Sequence, residues 1–337
     1  MEKLSLDSTK AGAFRFNTDS SQLEIFDGNQ WTGILATSPE QQTGGTRGVF
    51  IGGGSPYAID YINVDTTGDA LDFGDSLSNA GYVAAASSRT RAIGGGDAPS
   101  STNTIQFIIF ASTGNGQDFG DMTTTAHARS AVSNGTRGII AGGNVSPTDG
   151  NATNIIDYVT IAQLGDAVDF GDAVSSKRDR ASCASPTRGV LAGGYNGDPV
   201  SGSQTNAIEY ITMSTLGNGT DFGDLTESRM GGGGASNAVR GIFGGGHPSK
   251  DVMDSIEIAT LGNAVDFGDL IRGQFRGGTA SSSTRYVYFG GNNSPYREMQ
   301  YVQFSTRGNA IEFGDYSPSN SRYDINEGGC SNGHGGL

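Results

Sequence analysis

The sequence has few cysteines, no cluster of basic residues and no long apolar run, and each absence excludes a class of protein. Two cysteines, Cys183 and Cys330, do not make a disulfide scaffold. The 21 Lys and Arg residues are scattered singly, whereas a nucleic-acid-binding surface needs them clustered. No run of about 18 apolar residues is present, so we expect no membrane-spanning helix. The opening MEKLSLDSTK lacks an apolar core, so we expect no secretory signal.

Glycine is abundant instead, at 55 of 337 residues, which is more than twice its usual share of roughly 7%. The glycines do not follow the three-residue period of collagen, so we assign them to turns. Thr, Ser, Asn, Val and Ile are plentiful and helix formers are sparse, which predicts an all-β protein. The net charge of −14 favours solubility over non-specific association.

The string Phe-Gly-Asp occurs six times, at intervals of 45 to 52 residues. A motif that returns at this interval indicates a repeat architecture in which each repeat is one supersecondary unit. One Phe per unit at a fixed offset predicts a wedge between neighbouring units. The motif phenylalanines are Phe73, Phe119, Phe170, Phe222, Phe267 and Phe313.

Each unit opens with an arginine that is followed by a short apolar segment and a glycine pair. This order predicts a buried strand that ends where the backbone favours no side chain. The opening arginines are read as Arg47, Arg89, Arg137, Arg188, Arg240 and Arg285. The glycine pairs are read as Gly52-Gly53, Gly94-Gly95, Gly142-Gly143, Gly193-Gly194, Gly245-Gly246 and Gly290-Gly291.

The rest of each unit predicts three further strands. A strand with period-two alternation, such as Ile156 to Ile161, follows a variable loop. A Gly-Asp or Gly-Asn pair, read as a hairpin turn, then precedes the Phe-Gly-Asp strand. These pairs begin at Gly68, Gly114, Gly165, Gly217, Gly262 and Gly308. A small-residue strand, such as Arg129 to Ser133, completes four strands per unit and suits a position at the axis of a propeller.

The unit resembles the kelch repeat of β-propellers in its glycine pair after an apolar strand, its aromatic strand and the aromatic residue near its end. The resemblance covers residues 44–337 and implies a six-bladed propeller of four-stranded blades. Phe-Gly-Asp stands where a kelch blade normally carries Trp. Kelch-type propellers serve many roles, so the resemblance implies an architecture rather than a function.

An additional strand follows the last Phe-Gly-Asp. The string Cys330-Ser331-Asn332-Gly333 echoes Val132 to Gly135 of the third unit, and the first unit has no such strand before Arg47. We therefore expect the C-terminal strand to supply the inner strand of blade one, which leaves no open edge in the ring.

Residues 1–43 lack the repeat and are predicted to form a small β-hairpin module with one apolar face. In order, the residues Gly12, Arg15 to Asp19, Leu23-Glu24, Phe26 to Gly28 and Trp31 resemble a short module of bacteriophage tail fibres and other virion appendages. Glycine-rich Phe-Gly-Asp propellers also resemble those encoded by phages of marine cyanobacteria. The resemblance implies docking on other virion proteins, and packing on the chain's own propeller is the alternative. The expected docking residues are Phe14, Phe16, Leu23, Ile25 and Trp31.

The sequence predicts no catalytic, metal or cofactor site. The motif aspartates Asp75, Asp121, Asp172, Asp224, Asp269 and Asp315 lie one per blade and so do not converge on one cation; we expect strand-end caps, with pairing to a repeat arginine as an option. His127, His247 and His334 fall in different units without ligand spacing. Cys183 is expected to be a small buried residue, too distant from Cys330 to bridge. We therefore expect a protein that is not an enzyme.

The loop after the glycine pair varies most in length between units, and its longest versions are Asn144–Ile155 and Tyr195–Ala207. Binding concentrates on loops that a rigid scaffold holds, so we expect any receptor contact on this face. Neutral drift in solvent is the alternative. The candidate binding residues are Asn144, Asp149, Asn151, Tyr195, Asn196 and Asp198.

These features favour a structural protein of a bacteriophage virion. In this hypothesis residues 1–43 dock on other virion proteins, and the propeller is displayed as a tail or capsid appendage that contacts a host-surface glycan or protein. The chain would be made in the host cytoplasm and end in the virion. A free kelch-like protein-binding propeller and a carbohydrate-active propeller enzyme are the alternatives.

Overall fold

Every regular element that the structure describes is a β-strand, which confirms the predicted all-β fold. This computed structural model describes residues 10–17, 22–33, 45–52, 58–77, 81–96, 102–145, 151–197, 202–291, 298–316 and 328–333. The chain divides into two units, Met1–Thr43 and Gly44–Leu337.

The first unit contains a three-stranded antiparallel sheet in the order β1 (Phe14–Asn17), β2 (Gln22–Phe26) and β3 (Trp31–Gly33). The predicted hairpin is therefore completed by a third strand, which begins at the chain's single Trp. A turn built on Asp27 makes this addition possible: its carboxylate accepts hydrogen bonds from the backbone N–H groups of Asn29 and Gln30, both at 2.8 Å. Such Asx turns reverse the chain over a few residues.

The second unit contains six four-stranded antiparallel sheets within the described residues, and each is one blade of the predicted propeller. From the axis outward, blade 1 consists of β27 (Gly328–Ser331), β4 (Arg47–Ile51), β5 (Ala58–Asn63) and β6 (Leu71–Asp75). Blade 2 consists of β7 (Ala84–Ser87), β8 (Arg91–Gly95), β9 (Thr104–Ile109) and β10 (Gln117–Asp121). Blade 3 consists of β11 (Ser130–Ser133), β12 (Arg137–Ala141), β13 (Ile155–Thr160) and β14 (Val168–Asp172).

The other three blades repeat this order. Blade 4 consists of β15 (Ala181–Ala184), β16 (Arg188–Ala192), β17 (Ala207–Thr212) and β18 (Thr220–Asp224). Blade 5 consists of β19 (Gly233–Ser236), β20 (Arg240–Gly244), β21 (Val252–Glu257) and β22 (Val265–Asp269). Blade 6 consists of β23 (Gly278–Ser281), β24 (Arg285–Phe289), β25 (Glu298–Gln303) and β26 (Ile311–Asp315).

The C-terminal strand closes the ring, as predicted. Strand β27 pairs antiparallel with β4, with Cys330 opposite Val49, and it contacts the inner strands of blades 2 and 6. Two serine hydroxyl groups link β27 to the inner strands of blades 6 and 2. Ser331 donates to the carbonyl of Ser281, and Ser87 donates to the carbonyl of Ser331 at 2.8 Å. Contacts between neighbouring inner strands therefore run around the whole axis.

Apolar packing lies between the blades rather than at the centre. Each interface holds one buried hydrophobic cluster, and each cluster includes a motif phenylalanine. Phe170 is 3% exposed and belongs to a cluster that joins Ile139 and Ile156 of blade 3 to Leu191 and Met213 of blade 4. The prediction that the repeated Phe is an inter-blade wedge is confirmed.

The Gly-Asx pairs do not form the hairpin turns that the sequence suggested; each clips its blade to the preceding one. Between blades 3 and 4, Gly217 donates its N–H to the carbonyl of Phe170 at 3.0 Å, and Gly219 donates to that of Asp172 at 2.7 Å. The Asn218 side-chain oxygen accepts from the Asp172 N–H at 3.0 Å. The same clip recurs at every interface, with glycine donors Gly68, Gly114, Gly165, Gly262 and Gly308.

This clip explains the glycine of Phe-Gly-Asp. Gly171 has φ +144°, which side chains rarely adopt, and a Cβ there would lie 2.6 Å from the carbonyl oxygen of Gly217. A glycine is needed because the neighbouring backbone approaches this closely. The motif therefore combines an apolar wedge with a backbone docking point for the next blade.

The opening arginines also bridge blades. Arg137 donates to the carbonyl of Met213 in the next blade at 3.0 Å, and its guanidinium lies over the Tyr158 ring at 5.1 Å. The Tyr158 ring in turn packs edge-on against Phe170. Equivalent bonds close the circle from Arg285 in blade 6 to Val64 in blade 1.

The sequence reading of blade 2 was wrong by two residues. The bridging arginine is Arg91 rather than Arg89: it donates to the carbonyl of Ile161 at 2.8 Å and stacks on Phe107. Gly94 and Gly95 lie inside strand β8 and do not form the glycine pair that ends it. Gly94 occupies the position of Ile140 in blade 3, and Gly95 that of Ala141, so the sequence alone made them look like the glycine pair.

The outermost strands carry much of the negative charge. Each presents an exposed carboxylate one residue before the motif Phe, and the motif Asp adds another that is exposed or half-buried. Charged side chains on edge strands oppose pairing with another chain. The acidic composition therefore protects six open sheet edges from association.

We expect deletion of residues 320–337 to cause unfolding or aggregation, because it removes β27 and exposes the edge of β4. Thermal unfolding and light scattering of the purified chain measure this. Deletion of residues 334–337 alone, beyond β27, is the control. A soluble variant lacking 320–337 with unchanged thermal stability would refute ring closure.

We expect Phe170→Ala to lower the free energy of unfolding by about 3–5 kcal/mol, because it removes buried area and leaves a cavity between two blades. Val168→Ala is the matched control, since Val168 lies on the same strand and is 54% exposed. Chemical denaturation measures both. A loss for Phe170→Ala as small as the roughly 0.5 kcal/mol expected of a surface substitution would contradict the wedge.

Candidate binding site

A cavity opens on the propeller axis at the end where the inner strands begin. It has a volume of about 130 Å³, and all six blades line it. Its wall is largely the main chain of glycine-rich and alanine-rich segments, such as residues 231–234 and 84–85. A second cavity lies farther along the same inner strands and is lined by residues such as Val132, Cys183 and Ser236.

The rim of this mouth is built from residues in the left-handed backbone conformation. They occupy one equivalent position, two residues before the inner strand, in five blades. They are Tyr82 (φ 60°), Ala128 (φ 54°), Asp179 (φ 54°), Gly231 (φ 64°) and Arg276 (φ 62°). Non-glycine residues rarely adopt this conformation, and clusters of such residues mark functional sites.

Backbone hydrogen bonds tie these rim residues together. The Asp179 N–H donates to the Ala128 carbonyl at 3.0 Å, Gly231 donates to Asp179 at 2.7 Å, and Arg276 donates to Gly231 at 2.7 Å. Four consecutive blades are thereby linked at the mouth. The four linked residues are of four different types, so side chains of different size and charge occupy the same left-handed conformation.

Three rim side chains meet across the mouth from alternate blades. Arg276 of blade 6 binds both carboxylate oxygens of Asp179 in blade 4, through Nε at 3.1 Å and Nη2 at 2.9 Å. Its Nη1 donates to the Tyr82 hydroxyl of blade 2 at 2.8 Å. Arg178 lies 3.4 Å from the same Asp179 carboxylate, so two guanidinium groups share one acid.

A second set of arginines anchors the rim to the blades. Arg129 follows the left-handed Ala128, and its buried guanidinium lies 3.5 Å from the Asp157 carboxylate on β13. Burial raises the pKa of Asp157, although Thr123 and Arg129 lower it. Arg180 pairs in the same way with Glu209 on β17. These ion pairs connect the residues that follow the rim to the third strands of blades 3 and 4.

Those of the predicted loop residues that the structure describes lie on the same face as the mouth. Tyr195 pairs with Arg178 in an isolated bridge, and the Arg178 guanidinium stacks over its ring at 5.1 Å. Asn151 and Asn196 are exposed. Asn144 is fully buried, and its side-chain oxygen accepts from the Asn151 N–H at 3.2 Å, so it supports the loop. Asp149 and Asp198 lie outside the described residues.

The expected docking residues fall on two faces of the N-terminal sheet. The register pairs Phe14 with Ile25, and Phe14 is 62% exposed. Trp31 pairs with Phe26, so it lies on the opposite face, where the Arg15 guanidinium covers its ring at 4.3 Å. Phe16 and Leu23 face each other in the strand register, and their side chains are outside the described set.

The remaining candidate residues make contacts that stabilise the fold. The motif aspartates serve the inter-blade clip through their backbones, while the opening arginines bind carbonyls and aromatic rings. His127 packs edge-on against Tyr82, and the His247 ring nitrogen lies 3.0 Å from the Gln204 amide. His334 is outside the described residues. Cys183 and Cys330 are free thiols, as expected.

Comparisons of the sequence with models of known protein families and with curated proteins give no match. In the part of the chain that the structure describes, no group of three or more His, Cys, Asp or Glu side chains could hold a metal ion. Across the same ranges, no helix has the length and apolarity needed to cross a bilayer.

Sequence reasoning missed the rim residues Tyr82, Asp179 and Arg276. A signal was present: these residues share one offset before each small-residue strand, and their types differ in every blade. The offset became visible only with the correct strand boundaries. Their convergence depends on the ring, because 194 positions separate Tyr82 from Arg276.

We expect both cysteines to react slowly with a thiol reagent at pH 8 in the folded protein. Burial raises the pKa of Cys330 to about 12 and raises that of Cys183 as well, so both stay protonated. The thiolate is the reactive form of cysteine, so a raised pKa slows the reaction. Labelling after urea unfolding is the control, and rapid stoichiometric labelling of the native protein would contradict this environment.

Proposed function

We propose that this chain is a structural and binding protein of a bacteriophage virion, in which the propeller is displayed as a tail or capsid appendage and its mouth face contacts the host surface. The N-terminal sheet docks the chain on other virion proteins. The propeller serves as a rigid support for a variable face, and it carries out no reaction in this proposal.

One observation supports the binding role. The residue types at scaffold positions are the same in each blade, whereas the residue types at the mouth differ between blades. The motif Phe and Gly and the bridging Arg occur in every blade, because each interface needs the same wedge and clip. The equivalent rim position holds Tyr82, Ala128, Asp179, Gly231 and Arg276. Binding residues concentrate on loops that a rigid scaffold positions. A face that differs in each blade suits one asymmetric ligand.

The N-terminal sheet supports the virion assignment. Its residues resemble, in order, a short module of tail fibres, and the Phe14 side chain is 62% exposed. Small sheets need a packed face for independent stability. An exposed aromatic residue on a small sheet is a typical anchor for a partner surface.

We expect a chain lacking residues 1–43 to fold as a closed propeller and to be missing from virions, because the ring is complete within residues 44–337. Mass spectrometry of purified particles measures incorporation. Phe14→Ser should also lower incorporation, whereas Thr32→Ser, at an exposed position on the same face, should not. Normal copy number of the truncated chain would refute the docking role.

We expect shortening of the two long loops, at residues 145–151 and 196–203, to weaken host adsorption about tenfold, a loss of about 1.4 kcal/mol. Asn144 and Tyr195 stay in place because they pair with the neighbouring loops. Thermal unfolding of the variant verifies that the scaffold is unchanged. If virions carrying the variant adsorb to the host as well as before, the host contact does not lie on this face.

The alternatives give different outcomes in the same preparations. A free protein-binding propeller would be absent from purified virions yet would retain partners in infected cells. If the chain were a carbohydrate-active enzyme, the purified protein would cleave host glycans.

A further inference from the structure

Blade 1 is assembled from two distant parts of the chain, because its inner strand β27 comes from the C-terminal region and its second strand is β4. In the other five blades the inner strand leads through a short turn directly into the second strand of the same sheet. The position of β27 therefore depends on non-covalent contacts with β4 and with its neighbours at the axis. Those neighbours are β7 of blade 2 and β23 of blade 6.

The slot between β7 and β23 fits β27 closely. A Cβ atom at Gly328 would lie 2.6 Å from the Val83 carbonyl oxygen of blade 2. A Cβ atom at Gly329 would collide with the Thr279 carbonyl oxygen of blade 6. Backbone therefore packs against backbone on both sides, which only glycine permits. The fit of β27 consequently depends on the distance between blades 2 and 6.

Blades 2 and 6 are joined at both ends of this slot. At the end away from the mouth, the Ser87 hydroxyl donates to the Ser331 carbonyl at 2.8 Å, and the Ser331 hydroxyl donates to the Ser281 carbonyl. At the mouth, the two blades bind each other directly, since Arg276 Nη1 donates to the Tyr82 hydroxyl at 2.8 Å. Tyr82 lies two residues before β7, and Arg276 lies two residues before β23. This hydrogen bond therefore joins the starts of the two strands that enclose β27.

Asp179 of blade 4 orients the Arg276 guanidinium for this bond. Its carboxylate accepts from Nε at 3.1 Å and from Nη2 at 2.9 Å, and Nη1 reaches Tyr82. The same guanidinium stacks on the Tyr82 ring at 4.4 Å. Bidentate pairing fixes a planar guanidinium in direction as well as in distance. Blade 6 is thereby tied across the axis to blades 2 and 4.

These three side chains are present at a conformational cost. Tyr82, Asp179 and Arg276 have φ between 54° and 62°, and Gly231 adopts the same conformation in blade 5. Glycine at each position would avoid the steric penalty of the left-handed region. Strained residues persist where the surrounding structure holds them, and they cluster at sites with a specific role. The contact between blades 2, 4 and 6 is one that glycine could not make.

We propose that Tyr82, Asp179 and Arg276 form a latch that fixes the width of the slot and thereby keeps the C-terminal strand in the ring. The clips join each blade to its neighbour, whereas the latch joins blades 2 and 6 directly, past blade 1. Without the latch these two blades separate at the mouth, and β27 leaves β4 more often.

The test is hydrogen–deuterium exchange of the purified full chain, read separately in β4 with β27 and in β11 with β12 of blade 3. Exchange measures how often paired strands open locally. Tyr82→Phe removes only the hydroxyl that Arg276 binds, and it should raise exchange in β4 and β27 about tenfold, as expected for a lost hydrogen bond to a charged group. Exchange in β11 and β12 should stay the same. Tyr210→Phe, at a half-buried tyrosine of blade 4, is the matched control and should change neither region.

Arg276→Gly distinguishes the latch from the backbone that carries it. Glycine suits the left-handed conformation, so this variant removes the side chain without straining the main chain. Exchange in β4 and β27 should nevertheless rise at least as much as in Tyr82→Phe. Unchanged exchange of β4 and β27 in either variant would overturn the proposal. An equal rise in blades 1 and 3 would also overturn it, because that result indicates a general loss of stability.

Discussion

The clip between neighbouring blades is the interaction on which the propeller depends. A Gly-Asx pair in one blade hydrogen-bonds to the Phe-Gly-Asp backbone of the blade before it, and the motif glycine permits the close approach. The motif phenylalanine fills the same interface from the inside, and a bridging arginine reaches across it. Because the last clip joins Gly68 to Phe313, the series has no end.

This arrangement accounts for the composition of the chain. Apolar residues are divided among six interfaces, so no large central core is needed. Small residues form the inner strands, where neighbouring strands contact each other around the axis. Carboxylates occupy the outer strands, where they oppose edge pairing. At one end of the axis the cavity is lined by Tyr82, Asp179 and Arg276, which occupy equivalent positions and differ from blade to blade.

The sequence predicted what repetition and short-range pattern encode: the strands, the blade, the Phe wedge and closure by the C-terminal strand. It did not predict what depends on contact between blades. Gly-Asx was read as a turn because its partner lies in another repeat. Arg89 was preferred to Arg91 because two glycines within β8 imitated the end of a strand. The mouth network was missed because its members come from alternate blades and carry no shared motif.

The most direct test of the clip compares Gly171→Ala with Gly165→Ala. Both glycines have nearly the same φ, +144° and +149°, but only the Cβ at Gly171 would meet the neighbouring backbone, 2.6 Å from Gly217, whereas Gly165 has open space. Both variants should lose about 1–3 kcal/mol of unfolding free energy from backbone strain. Gly171→Ala should lose roughly 1–3 kcal/mol more because the two blades are forced apart. Equal losses in the two variants would show that the close approach of the blades does not limit stability, and would contradict the account.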